Sequence, residues 1–241
     1  MNLSKNAINH LLLFNNLKKQ PEGKPSPLSV NEADIPSELK EINRWVCWNY
    51  SLQNDRWTKT PFRADSSCLG SCTDPANHRS FEEVWLRYDS SDFSGIGFVL
   101  TSEDDLFGVD CDKCVESINK SGEISLSQGG KTFVDFWLSR GAYLEISPSG
   151  KGLRGFLKGT LPEDSRIKTE VMGSSWEIYG EKHYLTVTGI AFEASPTDIV
   201  TVAYEDLCEY RDKFMGSKAK RHQSKTESAN LPQQERLLGI I

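Results

Sequence analysis

Two aspartates, Asp110 and Asp112, lie two residues apart directly after the apolar segment 107–109. Alternate residues of a β-strand share one face, so the two carboxylates are expected to be neighbours. Neighbouring carboxylates raise each other's pKa unless a hard divalent cation lies between them and stabilises both charged forms. The spacing therefore favours a divalent metal site, and an acidic turn that faces solvent is the alternative.

A third acid, Glu177, lies within the segment 176–179, whose bulky apolar residues predict another buried strand. Three acids on strands supply enough oxygen ligands for two Mg²⁺ or Mn²⁺ ions. Such ions, about 3.5–4 Å apart, activate an attacking hydroxyl and stabilise the leaving group of a phosphoryl transfer. Asp110, Asp112 and Glu177 are therefore the candidate catalytic and metal-binding residues. The alternative for Glu177 is an exposed position on the polar face of a strand.

A glycine-rich segment, 147–154, joins two predicted strands and carries several hydrogen-bond donors. Its glycines let backbone N–H groups approach an anion, and its serine, lysine and arginine side chains suit phosphate oxygens. It is not a P-loop, because the following helix and the GK[ST] spacing are both missing. The candidate nucleotide-binding positions in this segment are Ser147, Ser149, Gly150, Lys151, Gly152 and Arg154. The alternative is an ordinary hairpin loop with solvated charges.

Other catalytic chemistry has less support in the sequence. The four histidines form neither an HxH nor an HExxH motif, and no GxSxG motif marks a nucleophilic serine. Two cysteine pairs, Cys68/Cys72 and Cys111/Cys114, raise the hypothesis of a four-cysteine zinc site. The zinc hypothesis is less favoured, because Cys111 lies between the two aspartates and is expected to point to the opposite face, into the core.

Composition limits the remaining classes of protein. The 241 residues include 28 basic and 34 acidic side chains, so nucleic acid would contact a local patch rather than a generally positive surface. The apolar run 11–14 is far shorter than the roughly 20 residues of a membrane span, and no signal-peptide cleavage site follows it. With six cysteines and no secretion signal, the sequence predicts a cytoplasmic protein with reduced thiols and no membrane partner.

Hydrophobic periodicity predicts an α+β domain. The predicted strands are 45–50, 96–100, 106–111, 142–147, 153–158, 176–179 and 184–188, and the predicted helices are 81–88, 132–140 and 197–214. Three hairpins are expected, which pair 96–100 with 106–111, 142–147 with 153–158, and 176–179 with 184–188. Because strands come in pairs with helices between the pairs, we expect a two-layer fold with an antiparallel or mixed sheet and helices on one face.

Changes in composition divide the chain into three parts. Residues 1–33 are predicted to form an N-terminal arm, because the segment 20–27 is rich in proline and glycine. Residues 34–212 form the predicted catalytic domain. Residues 213–241 are predicted to be a basic flexible tail or a linker to a following segment, because basic side chains outnumber acidic ones there and apolar residues are scarce up to residue 230.

The order of these motifs resembles the archaeo-eukaryotic primase superfamily, and more narrowly the primase-polymerase domains of phages, plasmids and other mobile elements. The matching segments are 109–112, 147–153 and 176–179, the last continuing into 184–189, with 45–48, 59–61 and 73–75 upstream. The resemblance extends over about residues 40 to 210. One departure is Arg154, which stands where the family usually has histidine. Arginine binds phosphate through two bonds and stays charged, but it cannot act as a titrating group.

The resemblance implies a template-directed nucleotidyltransferase, a DNA primase or DNA polymerase that adds nucleotides from dNTPs or NTPs by two-metal phosphoryl transfer. It assigns Mg²⁺ or Mn²⁺ to the three acids and the triphosphate to the segment 147–154. Lys59 and His183 are further candidates for contact with the triphosphate or the template. It also implies a two-lobed architecture with an RRM-like catalytic sheet, a single-stranded DNA template, and a helicase domain or protein as a further candidate partner.

Two other functions stay open at this point. A metal-dependent nuclease would use the same three acids to activate water for phosphodiester cleavage, but it has no need of a triphosphate-binding loop. A non-catalytic single-stranded-DNA-binding module of a replication initiator would use the basic tail and aromatic side chains, and its acids need not converge.

Overall fold

The computed structural model describes residues 23–217, except residues 67, 104, 164, 166, 193 and 194. Its α-helices are α1 (Ser37–Lys40), α2 (Phe81–Asp89), α3 (Gln128–Leu138) and α4 (Tyr204–Tyr210), and a π-helical turn, Arg211–Met215, follows α4. Its strands are β1 (Trp45–Gln53), β2 (Arg56–Phe62), β3 (Gly95–Leu100), β4 (Leu106–Asp112), β5 (Val115–Ile118), β6 (Ile124–Leu126), β7 (Tyr143–Ile146), β8 (Leu153–Lys158), β9 (Lys168–Val171), β10 (Ser174–Tyr179) and β11 (His183–Val187). The predicted α+β class is confirmed.

The strands form two main sheets, and every neighbouring pair in them is antiparallel. One sheet has four strands in the order β11-β3-β1-β2, and the other has five strands in the order β7-β8-β4-β10-β9. β5 and β6 form a separate two-stranded ribbon after β4. Two sheets therefore replace the single sheet expected from the hydrophobic pattern.

Only one of the three predicted hairpins forms as expected. β7 pairs with β8, with Ile146 opposite Leu153. The other two predictions are wrong, because β3 and β4 lie in different sheets, and so do β10 and β11. β3 and β4 are buried along nearly their whole length, as central strands are, and each already has two partners within its own sheet. The β3–β4 and β10–β11 connections therefore carry the chain from one sheet to the other.

The helices begin where side chains cap them. α2 matches the predicted helix, and its capping box is formed by Ser80 and Glu83. α3 begins earlier than predicted, because the Ser127 hydroxyl accepts a hydrogen bond from the amide of Gly130. Among the helices in the described ranges, none combines the length and apolar character that crossing a membrane requires.

The last predicted helix, 197–214, is wrong at its start. The amide of Val202 donates to the carbonyl oxygen of Lys158 at 2.8 Å, and the amide of Lys158 donates to Val200 at 2.9 Å. These bonds keep the chain extended along the end of β8. The helix therefore begins only at Tyr204.

Two hydrophobic clusters hold the domain together. The first joins β4, β8 and β10 to α3 and α4, and in it the Tyr210 ring packs against Trp137 and Trp176 with centroids 4.6 Å and 5.9 Å away. The second joins the four-stranded sheet, α2 and part of the five-stranded sheet, with Phe98 packed edge-on against Phe156. Full burial of one large apolar side chain contributes about 1.5–3 kcal/mol. The helices are thus divided between two clusters rather than gathered on one face.

The segment 28–31, part of the predicted N-terminal arm, is bonded to the domain. The amide of Leu28 donates to the carbonyl oxygen of Pro148 at 2.8 Å, and the amide of Asn31 donates to Thr188 at 2.7 Å. This segment therefore packs against the start of the glycine-rich segment and the end of β11.

At the other end, Met215 is buried in the first cluster, beyond the predicted domain boundary at residue 212. Residues 1–22 of the predicted arm and residues 218–241 of the predicted basic tail lie outside the described residues.

A substitution at Gly189 tests whether the segment 28–31 packs against the domain as described. The φ of Gly189, +62°, is a left-handed conformation, and a Cβ there would collide with the backbone oxygen of Asn31. Gly189→Ala is expected to lower the free energy of unfolding by at least about 3 kcal/mol, because left-handed strain and the clash add together. Urea denaturation measures this change.

Gly173→Ala is the matched control, because Gly173 has a φ of +83° and open space where a Cβ would lie. We expect it to lose only about 1 kcal/mol. Equal losses in the two variants would show that the segment 28–31 does not pack as described.

Candidate active site

One row of charged side chains crosses the whole five-stranded sheet. Directly opposite one another in the register are Glu145 and Arg154, Arg154 and Asp110, Asp110 and Glu177, and Glu177 and Lys168. Directly opposed residues of antiparallel strands project from the same face. These five residues, called the charged row below, alternate in sign except at the centre, where two acids are neighbours.

Asp110 and Arg154 form a buried ion pair within the charged row. Arg154 Nε donates to Asp110 Oδ1 at 2.8 Å, and Arg154 Nη1 donates to the carbonyl oxygen of Thr186 at 3.2 Å. Burial acts to lower the pKa of Arg154, but the charge of Asp110, the hydrogen bond to Asp110 and the charges of Asp112 and Glu145 together raise it, so the guanidinium stays charged. The structure therefore places Arg154 differently from the sequence expectation: its donors bind Asp110 and β11 rather than facing outward for a phosphate.

Asp112 ends β4 on the same face as Asp110, and it is partly exposed. Burial raises the pKa of Asp112, and the charge of Asp110 raises it further, while Arg154 and Lys59 oppose the shift. Asp110 and Glu177 each have a basic side chain bonded to a carboxylate oxygen, whereas the pKa of Asp112 is raised.

Glu177 is bonded through both carboxylate oxygens. Lys168 Nζ donates to Oε1, and the Tyr179 hydroxyl donates to Oε2. Burial acts to raise the pKa of Glu177, but these two hydrogen bonds and the charge of Lys168 together lower it. The Tyr179 ring is itself stacked on the ring of His183, with centroids 3.7 Å apart and planes 8° apart.

Lys59 and His183, both on the four-stranded sheet, interact electrostatically with the acids. Burial and the charge of Arg154 lower the pKa of Lys59 to about 7, and the two aspartates act in the opposite direction. Burial also lowers the pKa of His183, against the charge of Glu177. The structure therefore brings both sequence candidates into the electrostatic field of the acids.

The segment 147–152, called the glycine loop below, lies beside Asp112. A Cβ on Gly152 would lie 3.4 Å from Asp112 Oδ1 and 2.8 Å from the backbone oxygen of Cys111. Only a residue without a side chain allows the loop to approach the end of β4 this closely. The glycine loop and Asp112 are therefore neighbours.

The glycine loop is shaped by its own hydrogen bonds. Ser147 is buried, and its hydroxyl accepts from the amide of Gly152 at 3.1 Å, while its carbonyl oxygen accepts from the amide of Gly150 at 2.8 Å. The amide of Lys151 donates to Ser149 Oγ at 3.3 Å. Ser147 thus lies inside the loop, and the exposed side chains are those of Ser149 and Lys151.

Within the described part of the chain, no three His, Cys, Asp or Glu side chains are grouped closely enough to hold a metal ion. Asp110 and Glu177 are instead bonded to side chains of the protein itself. The four-cysteine zinc hypothesis has no support in this region: Cys114 is buried and donates to the backbone oxygen of Cys111 at 2.9 Å, whereas Cys68 is exposed.

Sequence reasoning missed Glu145, which lies at one end of the charged row. Glu145 is fully buried, and its carboxylate accepts from the amides of Thr188 at 3.0 Å and Gly189 at 2.8 Å and from the Tyr143 hydroxyl at 2.8 Å. Burial raises its pKa to about 7, although these hydrogen bonds act to lower it. The sequence feature that could have identified Glu145 is its position as the single charged residue within the short strand β7.

Lys168 and Tyr179 were also missed as functional candidates. Tyr179 stands in the segment used for the family resemblance, next to Glu177 on the same face. Lys168 had no local signal, because β9 has only four residues, Lys168–Val171, and most of them are polar.

The buried Glu145 predicts a specific dependence of stability on pH. Its pKa is about 7 in the folded state against 4.5 for the free group, so the folded state binds the proton more tightly. The free energy of unfolding should therefore fall by about 3 kcal/mol from this group as the pH rises from about 4.5 to about 7. Urea titrations at about pH 5 and about pH 8 measure it. Glu145→Gln should remove this part of the decrease, and an unchanged decrease in the variant would refute the assignment.

Comparison with known proteins identifies a phage relative. No family model matches the chain. The chain is 30% identical over 164 residues to the DNA primase-polymerase of Nitratiruptor phage NrS-1. The match covers 66% of this chain but only 21% of the relative, so the chain spans about a fifth of the length of the curated protein it matches. The likeness supports the resemblance drawn from the motifs, that is, a domain of the primase-polymerase type, for which the archaeo-eukaryotic primase superfamily is the general family.

Proposed function

We propose that this domain is a template-directed nucleotidyltransferase, acting as a DNA primase or DNA polymerase on dNTPs or NTPs. The observation that carries the proposal is the placement of Asp110, Asp112 and Glu177 on one face of neighbouring strands, with the glycine loop beside Asp112. The phage relative, which carries the name DNA primase-polymerase, supports the same class of reaction.

The donor set suits Mg²⁺ or Mn²⁺. Carboxylate oxygens are the ligands that these hard cations prefer. The pKa of Asp112 is raised by burial and by repulsion from Asp110, and a divalent cation relieves that repulsion. Asp110, Asp112 and Glu177 would hold the ions. When bound, the ions supply activation of the attacking hydroxyl and stabilisation of the leaving pyrophosphate.

The chain's own residues bind and orient the triphosphate. Ser149 and Lys151 are exposed on the glycine loop and offer a hydroxyl and an ammonium group to phosphate oxygens. Lys59 approaches from the other sheet, and a phosphate beside it favours its charged form. Arg154 orients Asp110 and, as a permanently charged group, takes no part in proton transfer.

The two alternative functions, a nuclease and a single-stranded-DNA-binding module, explain fewer features of the site than a nucleotidyltransferase does. A nuclease has no use for the exposed donors Ser149 and Lys151 beside Asp112. A single-stranded-DNA-binding module does not require three acids on one face. We therefore propose single-stranded DNA as the template, and a helicase partner stays a prediction from the family resemblance.

Replacing Asp112 tests the proposed function. Asp112→Asn keeps the shape of the side chain but removes the charge that the ions need. It is expected to lower nucleotide incorporation by at least about 100-fold, since several kcal/mol of transition-state stabilisation depend on the metal. The assay uses a single-stranded template with and without a primer, Mg²⁺ or Mn²⁺, and labelled dNTPs or NTPs.

Glu116→Gln is the matched control, because Glu116 is an exposed acid on β5, outside the charged row. It should incorporate nucleotides at the wild-type rate. Wild-type incorporation by Asp112→Asn would rule out the proposed role of the acids. Shortening of the template by the wild-type protein, in place of extension, would favour the nuclease.

A further inference from the structure

The contacts of Glu177 differ in how easily they can be broken. Both of its carboxylate oxygens are occupied, Oε1 by the Lys168 ammonium and Oε2 by the Tyr179 hydroxyl. The side chain of Glu177 is only 11% exposed, whereas that of Lys168 is 59% exposed. Each oxygen keeps a second lone pair, but a divalent cation at Oε1 would lie beside the Lys168 ammonium, and repulsion between the two positive charges favours displacement of Lys168.

Tyr179 is the fixed partner. Its ring is stacked on His183 with centroids 3.7 Å apart, and its side chain also packs against the second hydrophobic cluster. Moving the hydroxyl away from Glu177 would break both of these contacts.

Lys168 is the movable partner. It lies on β9, an edge strand of the five-stranded sheet, and its ammonium group is carried on a flexible, largely exposed side chain. Its ammonium can exchange Glu177 for water, so it can leave the pair at low cost. Oε1 is thus the oxygen of Glu177 that can be freed at low cost.

We propose that Lys168 is a tethered counter-ion of Glu177 that competes with a divalent cation for Oε1. In the absence of the cation, Lys168 compensates the charge of Glu177. When a cation binds, the Lys168 ammonium leaves Oε1 and turns toward solvent, while Tyr179 keeps Oε2. Lys168 is therefore a positioning residue that sets the cation affinity of the site. This inference rests on the proposed function, because it takes Glu177 as a ligand of the cation.

Arg154 cannot play the same part at Asp110. Its side chain is 8% exposed and is held at a second point by the carbonyl oxygen of Thr186. It also occupies only Oδ1 of Asp110 in the bonds described above. Competition between a basic side chain and the cation is therefore expected only at Glu177, where the partner is the exposed Lys168.

The test is a titration of the protein with Mn²⁺ alone, without nucleotide, followed by the electron paramagnetic resonance signal of free Mn²⁺. Lys168→Met should bind Mn²⁺ about two- to five-fold more tightly than the wild type, which corresponds to the strength of an exposed ion pair. Lys168→Arg keeps the ion pair and should bind within about a factor of two of the wild type. Unchanged or weaker binding by Lys168→Met would overturn the inference.

Lys213→Met is the matched control, because the Lys213 side chain is 60% exposed and pairs with Glu209, away from the charged row. It should leave Mn²⁺ affinity unchanged, and a tightening equal to that of Lys168→Met would mean that any lost surface charge suffices. Asp112→Asn separates the two proposals. If it binds Mn²⁺ as the wild type does, the metal site itself is wrong. If it weakens binding while Lys168→Met has no effect, only the role of Lys168 fails.

Discussion

Carboxylates gathered on the face of a largely buried sheet are costly unless positive charge lies beside them. In this domain the antiparallel register supplies part of that charge, because it sets Arg154 opposite Asp110 and Lys168 opposite Glu177. Asp112 is left with less compensation, and burial together with Asp110 raises its pKa. The sheet thus keeps negative charge unneutralised at the end of β4, where a divalent cation and a triphosphate would complete the balance.

The two-sheet arrangement determines which other groups reach these acids. Because the chain switches sheets between β3 and β4 and again between β10 and β11, the four-stranded sheet brings Lys59 and His183 to the site. Arg154 bonds to both sheets through Asp110 and the carbonyl oxygen of Thr186. At the other end of the row, Glu145 binds the backbone that follows β11. The site is therefore held by both sheets together.

The sequence predicts those parts of the site that depend on local periodicity. Alternation along one strand indicated that Asp110 and Asp112 share a face. The glycines of the segment 147–154 indicated a loop whose backbone can approach a neighbouring group closely. The partners of the acids depend on register between distant strands, which no local pattern contains. Arg154 was therefore expected at a phosphate, and Lys168 was not expected at all. The two wrong hairpins have the same cause, because a buried strand pairs equally well with a sequence neighbour or with a distant strand.

The claim that Asp110, Asp112 and Glu177 form one divalent-cation site is tested most directly by anomalous diffraction from crystals grown with Mn²⁺ and a non-hydrolysable nucleoside triphosphate. We expect a manganese peak within bonding distance of the two aspartates, the triphosphate against the glycine loop, and Glu177 separated from Lys168. Manganese bound only elsewhere on the protein, with the Glu177–Lys168 pair intact, would contradict the claim.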